Sequence, residues 1–516
     1  MALSRRDALI ALLATAAQAA RVGGAGAAPA AAGAPLGRPQ PFSFDRLKAL
    51  ARARAARPYA PPKAPSPALA HAIDYDAFGQ IVYRPEAGLW RDRPGAQEIR
   101  FFHIGRAAPT PVAISVVEAG HARPLLYSES LFDEPADSPA RQLAADGVAG
   151  FRVLNDDHQS DWLAYLGASY FRSAEPFNQY GLSARGLALD TAVPGPEEFP
   201  NFTAFWLEHP PGGDLIVYAL LEGPSVAGAY RIEHARNAQG LVQTFEVELT
   251  FRKPVQRLGL APLTSMYWYG PSDRKPADDW RPQIHDSDGL SIWTGAGERI
   301  WRPLSDPPQV ITNTFSDRAP KGFGLMQRDR RFEDYQDDGV FYDRRPSAWV
   351  EPLDDWGAGA VELVELPTDG ESNDNIVAFW TPAAPVTPGQ KLNYRYRLHW
   401  CAQEPGGVGV ARVVSTWAGQ GGRPGQPIPP GRRKFVVDFE GGALDGLGRN
   451  DGITPVVEAH PGQVLDPACY PVVGAKRWRL MFDIAATPGA VIDLRAFLRR
   501  DGQALTETWI HQVFAT

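Results

Sequence analysis

Most of this chain repeats with a period of two. Phe245, Val247, Leu249 and Phe251 alternate with Glu246, Glu248 and Thr250. Leu392, Tyr394, Tyr396, Leu398 and Trp400 alternate with polar residues, and so do Trp478, Leu480, Phe482 and Ile484. Successive side chains of a strand point to opposite faces, so this spacing predicts half-buried antiparallel strands. Leu215 to Leu221 is apolar almost without interruption and predicts a central strand. One early stretch keeps helical spacing instead. Ser43 offers an N-cap, Phe44, Leu47, Leu50 and Arg54 follow, and Pro58, Pro61 and Pro62 end the run. Elsewhere 50 glycines and 48 prolines break the chain into short strands joined by turns and loops. Strands do not alternate with helices, so the pattern predicts an all-β protein and not a parallel α/β sheet.

A chain of 516 residues is too long for one ordinary domain. A Gly/Pro-rich, weakly apolar stretch runs from Gln403 to Pro430 and suits a linker or long loop. We expect a large β-sandwich over 42–401, a linker over 402–412, and an immunoglobulin-like sandwich over 413–516. Ahead of them, residues 1–32 read as an export signal. Ser4-Arg5-Arg6-Asp7 precedes the apolar run Ala8 to Ala20, and small-residue cleavage sites follow. The paired arginines give it the twin-arginine form. The apolar run is short of the roughly 20 residues a membrane span needs, and no later stretch qualifies. The expected product is soluble and exported, without stable membrane insertion.

A formal charge of −7 gives no basic surface for nucleic acid. The 14 tryptophans fit a sugar-binding cleft as well as a β-core. Cys401 and Cys469 sit where an oxidising compartment permits a bridge, and spacing leaves open whether they pair. Phosphate-binding loops, H-E-x-x-H and G-x-S-x-G are all missing. We therefore expect no cofactor and no metal.

Carboxylates remain as candidate chemistry, and cleaving a glycosidic bond needs only two of them. Three acidic segments stand out: Gln283 to Gly289 with Asp286 and Asp288, Phe332 to Pro346, and Asp369 to Asn375. In the third, Asp374 stands at the mouth of the apolar run Ile376 to Trp380. Apolar walls and the neighbouring Glu371 would raise its pKa, as a general acid requires. A solvated Asx-turn is the plainer alternative. Asp286 and Asp288 could suggest calcium, but the loop lacks the other ligands of such a site.

Several longer strings carry a resemblance. They include Gly150 to Leu154, Leu166 to Arg172, Gln179 to Ala188, Glu197 to Pro200, His285 to Ser291, Ile300 to Leu304, Arg345 to Val350, Asn373 to Val377 and Thr506 to Trp509. Together they resemble the periplasmic glucan biosynthesis family OpgG/OpgD, with Arg5-Arg6 favouring the D-type. The resemblance implies a galactose-mutarotase-like supersandwich joined to an immunoglobulin-like domain, a periplasmic location, and β-1,2-linked glucan as partner. It implies an anomer-inverting endo-β-1,2-glucanase or cyclising transglycosylase, with Asp374 as acid, Asp286 as base, and Glu371 and Tyr342 in the proton relay. His285, Asp343, Arg345, Trp301, Tyr180 and Trp380 are the candidate glucan contacts. A non-catalytic glucan-binding or assembly protein is the alternative. The oligomeric state stays open, a homodimer included.

Overall fold

A computed structural model describes residues 34–64, 66–143, 147–274, 279–406, 409–427, 429–485 and 487–515. The expected signal segment, 1–32, lies outside these. The described chain is all-β: it is built from strands, with four α-helices of which only Phe44–Ala55 exceeds two turns.

Two large sheets form the body. The central strands of the longer one are Asn201–Glu208, Leu215–Glu222, Val226–Asn237, Gly240–Phe251, Lys391–Cys401 and Ser347–Pro352, in that spatial order. The facing sheet runs Ile311–Arg318, Ala358–Glu365, Ile376–Pro382, Leu258–Ser265, Ser183–Arg185, Tyr170–Ser173, Asp161–Leu166, Gly150–Leu154 and Ile99–Phe102. The period-two pattern explains the packing between them. Phe245, Val247, Leu249 and Phe251 are buried in the main core, and Phe245 stacks on Tyr396 of the next strand with centroids 4.3 Å apart. Leu215–Glu222 pairs on both edges and is buried along most of its length, as its continuous apolar run predicts.

The outward positions receive the helix. Ser43 caps it by accepting from the Arg46 amide at 3.3 Å. Leu47 and Ala51 pack on Tyr218, Leu220 and Ala229, while Lys48 and Arg52 reach Glu246 and Glu248 at 3.2 and 2.6 Å. The helices Pro67–Ala72 and Tyr75–Gly79 fall where the sequence pattern predicts strand-like chain. Each is under two turns, too short to establish a helical period.

The C-terminal strands form a second core. Arg412–Gln420, Arg432–Glu440, Arg477–Ala485 and Gln463–Pro471 make one sheet, facing Thr454–His460, Val491–Arg500 and Thr508–Phe514. Phe435, Leu480, Phe482, Leu494 and Trp509 fill the space between. Arg299–Pro303 of the body pairs in parallel with Thr508–Phe514, so the long sheet continues from one core into the other. Glu507 locks this junction: its buried carboxylate accepts two bonds from Arg328 and one from the Val413 amide, each 2.8 Å. We propose 402–412 as the division between the two units, because the second core takes up the chain from Ala411 onward. Cys401 and Cys469 are free thiols.

Candidate active site

The site grows from one asparagine. Ile376–Pro382 is a strand buried on both faces over its first five residues. Asn375, immediately before it, is itself buried. Its Oδ1 accepts from the Tyr267 amide at 2.8 Å, and its Nδ2 donates to the carbonyls of Tyr267 and Leu366 at 2.9 Å each. The side chain thus extends the sheet by one rung and holds the preceding residue, Asp374, against the next strand. This replaces the solvated turn with a fixed one. Asn375→Ala leaves three buried backbone groups without partners and should cost about 2–3 kcal/mol. A denaturant midpoint equal to the parent's would show that the asparagine holds nothing.

Tyr267 carries the connection onward. It pairs with His285 across a short two-stranded ladder, and the next amide, Asp286, donates to the Met266 carbonyl at 2.8 Å. Two aspartates 88 positions apart therefore flank partners of one backbone rung. Arg172 and Arg185 come from neighbouring strands of the same sheet. Arg185 is fixed by Thr264 at 3.0 Å and Glu197 at 2.9 Å. Arg172 lies over the Tyr180 ring at 4.4 Å, and its guanidinium makes no hydrogen bond to the described residues.

The electrostatics follow from this crowding. Asp374 is half-buried and accepts no hydrogen bond from the described residues. Loss of hydration raises its pKa to about 7, and the negative charge of Asp286 adds to the rise. Arg185, Arg172 and Arg345 oppose it. The like charge that matters is thus Asp286 and not the expected Glu371. Asp286 is buried and ion-paired with Arg345. Burial pushes its carboxyl up, while Arg345 is the main opposing influence. Gly181 makes room for that arginine: a Cβ there would stand 2.8 Å from Arg345 Cβ, so no larger residue fits without displacement.

Glu371 belongs to a different group. It takes the Tyr342 hydroxyl at 2.5 Å and two bonds from Arg281 at 2.9 and 3.2 Å. Tyr342 is buried beneath the Arg345 guanidinium, 4.1 Å from its ring. Burial is the main cause of its raised phenol pKa, so the hydroxyl keeps its proton.

The candidate contacts divide. Tyr180 is buried in the main core with Arg172 over its ring, whereas Arg345 stands at the carboxylate site, paired with Asp286. Asp343 is nearby, half-buried, with Oδ1 unpaired and Arg344 at 3.7 Å from its other oxygen. His285 is sealed at 1% exposure, stacked on Tyr267 and bonded by Gln327 at 3.0 Å, and burial lowers its pKa to about 4. It supports the rung from behind and offers no surface to a sugar. Trp380 is fully buried in the main core, and Trp301 packs into the C-terminal core under Arg328, 3.6 Å from its ring. Neither aromatic face is open to a ligand. Asp288 is committed elsewhere: it accepts the amides of Arg328 and Asp329, and burial raises its pKa. Sequence reasoning missed Arg172, Arg185, Arg281 and Asn375. The two strand arginines did carry a signal, being charges at positions where every neighbour in the strand is apolar or small.

Residues 42–513 match the family model described as "Periplasmic glucan biosynthesis protein, MdoG". The chain belongs to this family. Among curated MdoG-family relatives, the chain is 48% identical over 501 residues to glucans biosynthesis protein D 2 of Ralstonia nicotianae, covering 93% of this chain and 92% of that one. It is 47% identical to glucans biosynthesis protein D of Stenotrophomonas maltophilia (92% and 90%) and 45% identical to that of Xanthomonas oryzae pv. oryzae (92% and 91%). Among solved structures, it is similar to a galactose mutarotase related enzyme from Lactobacillus acidophilus, at 12% identity and a TM-score of 0.23, over 49% of this chain and 94% of that one. Membership of the MdoG family assigns the protein to periplasmic glucan biosynthesis. No helix among the described residues is long and apolar enough to cross a membrane.

Proposed function

We propose that this protein acts on the β-1,2-glucan backbone by single displacement, as an endo-hydrolase or a cyclising transglycosylase. Asp374 carries the reading: a half-buried carboxyl, uncommitted to other side chains, held near pH 7 beside Asp286. A group poised between its two protonation states at the working pH is suited to proton donation.

In this scheme, protonated Asp374 gives its proton to the leaving glycosidic oxygen as the C1–O bond breaks. Water, or a hydroxyl of the same chain, attacks C1 from the opposite face. Its proton passes to Asp286, and the Tyr342–Glu371 pair lines the route. Water attack consumes one water and leaves an α-configured reducing end. Attack by a hydroxyl on the non-reducing side of the same chain closes a ring through one α-linkage, which has no reducing end, and releases the segment beyond the broken bond with the original reducing end. The proton on Asp286 then returns to Asp374 through solvent. Export along the twin-arginine route belongs to the same reading, on the strength of Arg5-Arg6 before Ala8 to Ala20.

The acid must be protonated, so activity should fall as pH rises through its titration. We expect the alkaline limb of kcat/KM near pH 7, set by Asp374 in the free enzyme. A profile flat to pH 9 would remove Asp374 from the acid role. Incubation with linear β-1,2-glucan, followed by chromatography and mass spectrometry, tests the activity. Shortened linear chains or rings one water lighter support it. Unchanged glucan that is nevertheless bound would make this a glucan-binding assembly protein.

A further inference from the structure

One tryptophan among the described residues stands mostly in solvent: Trp280 is 72% exposed, and every other is at least half-buried. Its place is tied to the carboxylate site. The next residue, Arg281, is one Cα step of about 3.8 Å away. That guanidinium binds Glu371 on one side and Asp337 at 2.8 Å on the other, and the Arg281 carbonyl accepts the Tyr269 hydroxyl at 2.9 Å. Asp279, the preceding residue, holds the same guanidinium at 2.7 and 3.0 Å. The backbone on either side of Trp280 is therefore clamped to the relay group.

Asp337 extends the clamp. Its other oxygen accepts the amides of Gly339 and Val340 at 2.9 and 2.8 Å. Val340 is 41% exposed, and its carbonyl accepts from Gln179 at 3.3 Å and from Arg345, the partner of Asp286, at 3.4 Å. One carboxylate thus joins two loops that each present an apolar side chain to water and each reach a residue of the site. Single exposed apolar residues are ordinary on a protein surface, but an indole whose flanking backbone is fixed to the site is suited to receive the apolar face of a ligand. Pyranose rings carry apolar C–H faces that pack on indole.

We infer that Trp280 and Val340 form a rim platform on which the glucan chain lies as it enters or leaves the carboxylate site. The inference rests on the glucan reading above. It assigns Trp280 to chain binding and not to bond cleavage.

The test uses the full chain with Asp374→Asn as an inactive background, and titration with linear β-1,2-glucan by calorimetry. Adding Trp280→Ala should weaken binding about tenfold, and Trp280→Phe should restore most of it. In the active protein the same change should raise KM about tenfold with kcat nearly kept. Affinity unchanged by Trp280→Ala overturns the platform. Equal losses in the alanine and phenylalanine variants overturn stacking as its basis. A chain that binds glucan through Trp280 but never cleaves it keeps the platform and sinks the enzymatic reading. A parent that binds no glucan sinks both.

Discussion

Replacing Asp374 with Asn should lower glucan turnover by about 10²–10⁴-fold while glucan binding survives. Asparagine keeps the size and polarity of the side chain, and no protein donor is lost with it. What disappears is the transferable proton. The same change should stabilise the fold in alkali. Asp374 titrates at about 7 when folded against an ordinary 3.8. Below 3.8 both states hold the proton and there is no penalty. Between 3.8 and 7 only the folded state holds it, so stability falls as pH rises. Above 7 the full penalty stands, about 2 kcal/mol after discounting for the half-open position. The variant should therefore unfold at higher denaturant than the parent at pH 8 and at the same concentration at pH 3. A variant with parental turnover, or one no more stable at pH 8, would place the carboxyl outside the chemistry.

The second large effect concerns Arg345. This arginine is buried against Asp286, and Gly181 leaves space for it. Arg345→Met strands a carboxylate in a dry site, and breaking such a pair costs about 3–5 kcal/mol. Asp286 would then take up a proton to lose its charge and could no longer act as base. Adding Asp286→Asn should recover most of the stability and none of the activity. Measured as a double-mutant cycle in denaturant, additive losses would mean the two side chains do not depend on each other.

The legible part of this fold was local. Alternation located the strands around Phe245, Tyr396 and Leu480, and Ser43 with Leu47 located the helix. The family resemblance singled out Asp374 and Asp286. Their meeting depends on Asn375 bonding Tyr267 across 108 positions, which no local pattern encodes. The like charge that raises the Asp374 pKa was misplaced for the same reason, because Glu371 is near in sequence while Asp286 is near in space. Trp301 and Trp380 show another limit. On a strand, a tryptophan facing a groove and one facing a core have the same spacing. Trp280 stood outside every strand pattern, so periodicity gave it no role at all.

Proton NMR of the anomeric region, recorded in the first minutes of incubation with linear β-1,2-glucan, bears on the single displacement most directly. Product resonances should appear first in the α configuration and then drift to the equilibrium mixture, or, if a ring forms, as one α-linkage with no new reducing end. Product that begins in the β configuration, or glucan left unaltered at neutral pH, would contradict the pairing of Asp374 with Asp286 as acid and base.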